Sequence, residues 1–226
     1  MNSAPIAVVV GAGGELGHAT ALSLVADGFT VVAVDRSAGN LEDLPDDVER
    51  VIADATDPAV PTPLIDRIAK DIGVPAALVN TIGVFRPANA AETTPELLRT
   101  MVDVNLGTAF WLSQAVAPQM QRQGSGAIVH VTARPGLEPA YGMAAYATSK
   151  AALVYLTRVL DRELRPLGIR VNGVAPELID TAKTREALPE EMRARALAPE
   201  AIADVIAFLV SGAAAPISGA ILPAYG

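Results

Sequence analysis

The segment Tyr146-Ala-Thr-Ser-Lys150 places a phenol and an ammonium four residues apart. On a helix that spacing brings both side chains to one face, about one turn apart. An ammonium near a phenol favours the phenolate, so the pair offers a tyrosine drawn down from a pKa of about 10 toward neutrality, a proton donor or acceptor. The same spacing also suits a plain pair on a surface helix. A second chemical signal is Gly11-Ala-Gly-Gly14-Glu15-Leu16-Gly17, which follows the apolar run Ile6 to Val10. Glycines let a backbone turn tightly and approach a pyrophosphate, whose charge a helix N-terminus favours. Read blandly, the segment is a glycine-rich turn between a strand and a helix.

Asp35 closes the next apolar run, with Arg36 beside it. The spacing from the glycines is that at which a carboxylate accepts from both hydroxyls of an adenosine ribose. A 2′-phosphate there meets like charge, which favours NAD(H), while Arg36 can soften the repulsion and leaves NADP(H) open. The alternative is two solvated loop charges. Asp54-Ala55 follows a third apolar run and offers a carboxylate and an amide to an adenine ring, or else a polar turn at a strand end. Asn80-Thr-Ile-Gly83 supplies a turn where backbone can approach a cofactor, with Asn80 either at the site or tying strands together.

Elements that can hold these residues recur along the chain. Short apolar runs at 6–10, 30–34, 51–53, 76–80, 127–131 and 170–175 predict strands. Helical patterns lie near 16–27, 63–72, 95–122, 146–165 and 199–211. Fully apolar strands separated by helices predict a doubly wound α/β fold of Rossmann type, with a mostly parallel sheet covered on both faces. The turn-rich stretch Ser37 to Val48 leaves room for only an abbreviated crossover, and residues 1–226 read as a single domain.

Composition narrows the partners. Seventeen basic against 25 acidic residues give a net charge of -8, which offers nothing general to nucleic acid. With no cysteine and two histidines, His18 and His130, no metal site is expected. The N-terminal run lacks the basic residues that open a secretory signal, and Pro, Gly or charges interrupt every apolar stretch before the roughly 20 residues a membrane span needs. A cytoplasmic protein acting on a small molecule, without membrane or nucleic acid, is the expectation.

Taken in order, these motifs resemble the short-chain dehydrogenase/reductase family from end to end: Gly11, Gly14 and Gly17, then Asp54, Asn80 to Gly83, Asn105, Tyr146 with Lys150, and Arg170-Val-Asn-Gly-Val-Ala-Pro176. Ala198-Pro-Glu-Ala-Ile202 and Ile217-Ser-Gly-Ala220 fit its C-terminal pattern. The resemblance implies that Tyr146 exchanges the proton, that Lys150 holds the nicotinamide ribose and tunes the tyrosine, and that Asn105 supports a water-mediated proton path. It also implies that Pro176, Ile179 and Thr181 pass near the nicotinamide amide. A homodimer or homotetramer is implied as well, through the 95–122 and 146–165 helices, whose Phe110, Trp111, Leu153, Val154 and Leu156 spread beyond one face.

The chain departs from the family at Ala133, where a serine usually orients the substrate carbonyl. Loss of one such donor typically costs about 2.7–4 kcal/mol. Thr132 is adjacent, but successive strand side chains face opposite ways, so its hydroxyl should not replace the serine. His130 stands where the family often has Asn, as a structural histidine or a proton relay; Glu177 replaces a usual glycine, and Thr81-Ile82 a usual Asn-Ala. Ala133-Arg134 and Gly142-Met143 partly resemble the dihydropteridine reductase branch, in which Phe85 would flank a planar substrate or plug the core. Two functions follow. One is hydride transfer with a carbonyl, an alcohol or an activated quinonoid, imine or pterin-like substrate. The other is a catalytically impaired dinucleotide-binding sensor or scaffold.

Overall fold

The computed structural model describes residues 4–226, so Met1, Asn2 and Ser3 of the apolar N-terminal run lie outside the described residues. Among the described residues, seven strands form one parallel sheet: β1 (Ile6–Val10), β2 (Thr30–Asp35), β3 (Glu49–Ile52), β4 (Pro75–Asn80), β5 (Gly126–Val131), β6 (Ile169–Pro176) and β7 (Ile221–Ala224). Their order is β3-β2-β1-β4-β5-β6-β7, so the winding reverses between β1 and β4. Parallel strands need crossovers, and these supply helices on both faces.

The strand period of two divides the core. Ala7 and Val9 pack with Leu24, Ile202 and Ile206, from α1 (Glu15–Ala26) and a later helix, Pro199–Val210. Val8 and Val10 turn to the other face, against Ile65 and Ile68 of α2 (Pro61–Asp71) and Leu112 and Val116 of the helix Thr108–Gln123. The central strands β1, β2 and β4 therefore need apolar residues on both faces, which is why their runs in the sequence do not alternate, whereas the edge strand β3 keeps Glu49 and Arg50 exposed.

Two expectations change. The helix expected over 95–122 is α3 (Pro95–Val102), a π turn (Asp103–Gly107) and α4 (Thr108–Gln123). The edge strand β7 was not anticipated: it has four residues, and its Pro223 can be tolerated only on an edge. The crossover from β2 to β3 is indeed abbreviated, to a single 3-10 turn at Ala38–Leu41. The remaining helices are α5 (Ala144–Leu164), the short α6 (Ala182–Ala187) and α7 (Glu190–Arg193), and α8 (Pro199–Val210).

Candidate active site

The glycine turn joins β1 to α1 beside the point where the winding reverses, where doubly wound sheets open a crevice. Gly11 has φ +87°, and a Cβ on it would stand 2.7 Å from Thr81 Oγ1. A Cβ on Gly17 would stand 2.1 Å from the Gly11 carbonyl, so only glycine lets α1 approach the turn. Gly14 caps α1 with no side-chain acceptor, leaving the first-turn amides available to an anion.

Asp35 is drawn into that turn. Its Oδ2 accepts from the Gly13 amide at 3.1 Å, and its Oδ1 from the Ser37 amide at 3.1 Å and Asn40 Nδ2 at 3.0 Å. Gly13 and Asn40 were not singled out in the sequence; a Cβ on Gly13 would stand 2.3 Å from Asn40 Cβ and 2.8 Å from Asp35 Cγ. Asp35 is thus no free loop charge. Asp54 stands one strand over, with Oδ1 taken by the Thr56 hydroxyl (2.6 Å) and amide (3.0 Å). Those bonds hold its carboxyl below the usual range, with a smaller contribution from the charge of Arg36. Ala55 is buried beside it. Asn80 serves the turn: its Oδ1 accepts from the Ile82 amide (3.0 Å) and its Nδ2 donates to Thr108 Oγ1 (3.3 Å).

Two of the catalytic candidates, Lys150 and Asn105, converge around Gly83. A Cβ there would stand 3.3 Å from Lys150 Nζ and 3.4 Å from Asn105 Oδ1. Lys150 rises from α5 and donates to the Val131 carbonyl at the end of β5 (2.9 Å). Asn105 lies in the π turn, fully buried, with its Oδ1 accepting from the Val84 amide (2.8 Å). Its Nδ2 donates to the Val84 carbonyl (3.0 Å) and to Ser149 Oγ (3.0 Å). Asn105 therefore clamps the loop after β4 to α5, through Val84 and Ser149, neither of which the motifs flagged.

Tyr146 corrects an expectation. Desolvation pushes its phenol up to about 12 rather than down, while burial lowers the Lys150 ammonium to about 8. The cation is directed at the Val131 carbonyl, so in the free protein it does not draw out the tyrosine proton. Phe85 does not plug the core. It is 53% exposed and meets the Tyr146 ring edge-on, with centroids 4.9 Å apart.

Ala133 follows β5, buried and in extended backbone. The Thr132 hydroxyl donates to the Val174 carbonyl at 2.9 Å, so it faces the sheet and cannot stand in for the missing serine. His130 is fully buried, with Nε2 3.2 Å from Ser113 Oγ, and burial together with the Lys150 charge lowers it to about 4. That is a neutral structural histidine. Glu177 binds Arg134 (2.9 Å) and Arg195 (3.2 Å), while the Arg134 guanidinium lies 4.8 Å from the centroid of the Tyr225 ring.

Pro176, the last residue of β6, is buried in the sheet, and residues 177–198 form a lid that reaches the N-terminal end of α1. The lid closes at its base where the Asp180 amide meets the Leu197 carbonyl (2.8 Å) and the Leu197 amide the Leu178 carbonyl (2.9 Å), pairing Ile179 with Leu197. The Thr181 hydroxyl caps α6, accepting from the Thr184 amide at 3.2 Å. Among the described residues, no group of three or more His, Cys, Asp or Glu is placed to hold a metal ion, and no helix is long and apolar enough to cross a membrane.

Comparison with known proteins agrees with this geometry. The short chain dehydrogenase family model matches residues 5–192. The chain is similar to the 3-oxoacyl-[acyl-carrier-protein] reductase FabG of Thermotoga maritima, at 33% identity over 96% of this chain and 94% of the relative. It is also similar to a galactitol 2-dehydrogenase of Rhizobium johnstonii, at 36% identity over 96% of this chain and 91% of the relative. Among solved structures, that of ElxO with NADP bound superposes with a TM-score of 0.93 and 22% identity, covering 97% of this chain and 96% of ElxO.

Proposed function

This chain belongs to the short-chain dehydrogenase family of oxidoreductases, and on that premise we propose that it transfers hydride between a nicotinamide dinucleotide and a small carbonyl or alcohol substrate. The convergence of Lys150 and Asn105 on Gly83, with Tyr146 one helical turn before Lys150 on α5, carries the reading. The site fits a dinucleotide: the α1 amides lack a side-chain acceptor, and a Cβ on Gly83 would crowd the Lys150 ammonium. Gly11, Gly14, Leu16 and Gly17 would hold the pyrophosphate, Asp35 the adenosine ribose, Lys150 the nicotinamide ribose, and Ile179 and Thr181 the amide. The bound nicotinamide supplies or receives the hydride.

Tyr146 then gives a proton to the substrate oxygen. With its pKa pushed up to about 12 the phenol is protonated at neutral pH, which suits reduction. Asn105 keeps the loop at Val84 in place against α5. Ala133 offers the oxyanion no hydroxyl, so the substrates favoured are those whose developing charge spreads over a conjugated quinonoid, imine or pterin-like system. The exposed Phe85 edge beside Tyr146 gives such a ring a wall.

NADH is the preferred cofactor, because Asp35 is fixed by three donors at the ribose position and repels a 2′-phosphate. ElxO shows that the fold also accepts NADP, so the choice rests with residues at this turn. Ala133 favours a second reading, a dinucleotide-binding protein without turnover. Oxidation of NADH followed across ketones, quinones and quinonoid dihydropterins separates the two. Turnover on an activated substrate supports the first, and tight NADH binding with no turnover on any class supports the second. Equal or tighter binding of NADPH by calorimetry would overturn the cofactor preference.

A further inference from the structure

The lid is tied to the glycine turn by one acidic side chain. Glu15, the first residue of α1, accepts from the Ala182 amide through both carboxylate oxygens, at 2.9 and 3.1 Å. Its Oε1 also lies 3.8 Å from Arg185 Nη2. Arg185 is already aimed from below, since its Nη1 pairs with Asp180 Oδ1 at 3.1 Å and donates to the Asp180 carbonyl at 3.2 Å. An anion therefore bridges the turn and the lid, and its partners are a guanidinium and a backbone amide.

That anion stands at the N-terminal end of α1. A carboxylate is favourable there while the helix amides face solvent. It conflicts with a pyrophosphate at the same helix end, because two anions then share one positive potential at short range. The conflict resolves if the two anions exchange places. Glu15 is exposed enough to turn outward, with its side chain 41% accessible, and the donors it releases lie on the lid facing the cofactor turn.

We propose that Arg185 is a pyrophosphate-binding group carried by the lid, and that Glu15 is a built-in surrogate anion that holds the lid, through Arg185 and the Ala182 amide, until the dinucleotide displaces it. The proposal rests on the dinucleotide-binding reading above. It makes cofactor binding an exchange of anions, in which the lid passes from a side chain of α1 to the dinucleotide itself. Glu15 then lowers affinity for the cofactor while keeping the empty lid in place, and Arg185 raises affinity.

Calorimetric titration of NADH into the wild-type protein, Glu15→Gln, Arg185→Gln and the double variant tests this. Glu15→Gln keeps the size of the side chain and removes the charge, and it should tighten NADH binding about tenfold, within the usual range of coupling between sites. Arg185→Gln should weaken binding, and should weaken it at least as much in the Glu15→Gln background, where the guanidinium has no competing carboxylate. Limited trypsin digestion gives a readout independent of affinity, because Lys183, Arg185 and Arg193 all lie in the lid. Without NADH the lid of Glu15→Gln should be cut faster than that of the wild type, and NADH should restore its protection. Unchanged or weaker NADH binding by Glu15→Gln, or binding indifferent to Arg185→Gln, overturns the proposal. If the wild type binds NADH and only these variants behave otherwise, the dinucleotide reading stands and the exchange alone falls. If the wild type binds no dinucleotide, both fall.

Discussion

Burial acts in opposite directions on the two groups of the Tyr146/Lys150 pair. It raises the phenol to about 12 and lowers the ammonium to about 8, because in each case the charged form is the one that loses hydration. At neutral pH both groups keep their protons. On the proposed mechanism reduction needs a protonated Tyr146 and a cationic Lys150, so kcat/KM for reduction should be level below about pH 8 and fall above it as Lys150 loses its charge. A rate that rises through that window would refute the assignment. Tyr146→Phe removes the donor and should lower turnover by about 10²–10⁴, the usual worth of positioned proton transfer, while calorimetric NADH affinity stays unchanged. Ala133→Ser should behave otherwise. It restores a hydroxyl at the end of β5 and should raise activity on simple ketones by up to about 10²–10³, with little change on a conjugated substrate. Competition assays on a ketone and a quinone with the same variant would show whether the two respond separately.

At the scale of elements, the site depends on how closely one piece of backbone approaches another. Gly17 marks the contact of α1 with the glycine turn, where an added Cβ would lie 2.1 Å from the Gly11 carbonyl. Because the obstacle is backbone, the helix itself must shift. Gly17→Ala should therefore destabilise the fold by about 1–3 kcal/mol in urea unfolding, as overpacking commonly does, and should weaken NADH binding by displacing the α1 amides. Wild-type stability in that variant would mean the turn is looser than described. The π turn between α3 and α4 works in a similar way. Its extra backbone residue breaks the helical register, and the buried Asn105 it carries bonds across to Val84 and Ser149.

For the whole molecule, the reversal of the sheet between β1 and β4 gathers the glycine turn, Gly83 and Lys150 at one end, and the buried His130 lies beneath them. His130 is held neutral to about pH 4, against 6.5 for an exposed histidine. Between those values the unfolded chain binds the proton and the folded chain does not, so stability falls as pH drops from 6.5 toward 4. The loss is on the order of 3 kcal/mol. Urea unfolding at both ends of that window should show His130→Asn losing less than the wild type, and an equal loss would reject the assignment. Assembly is a second property at this scale. Phe110 and Trp111 stack edge-on at 4.9 Å and remain 41% and 36% exposed, with Tyr155 at 70%. Leu153, Val154 and Leu156, also expected on that surface, are buried within the chain and argue nothing about a partner. An apolar surface of this kind should close against a second copy, and sedimentation at micromolar concentration should show at least a dimer; a monomer would leave those rings unexplained. The sequence by itself determined the parallel α/β sheet, because central strands that are apolar on both faces have to be covered on both faces. It also determined the order of glycine turn, Asp35 and Tyr146/Lys150, because each depends on local spacing. It could not determine that Asn40 and Gly13 fix Asp35, that Glu15 reaches the lid, that Thr132 is bound to Val174, or which way Tyr146 titrates. Those depend on groups up to 167 residues apart meeting at distances of a few ångströms, and on how much water folding removes from each, which only the tertiary structure decided.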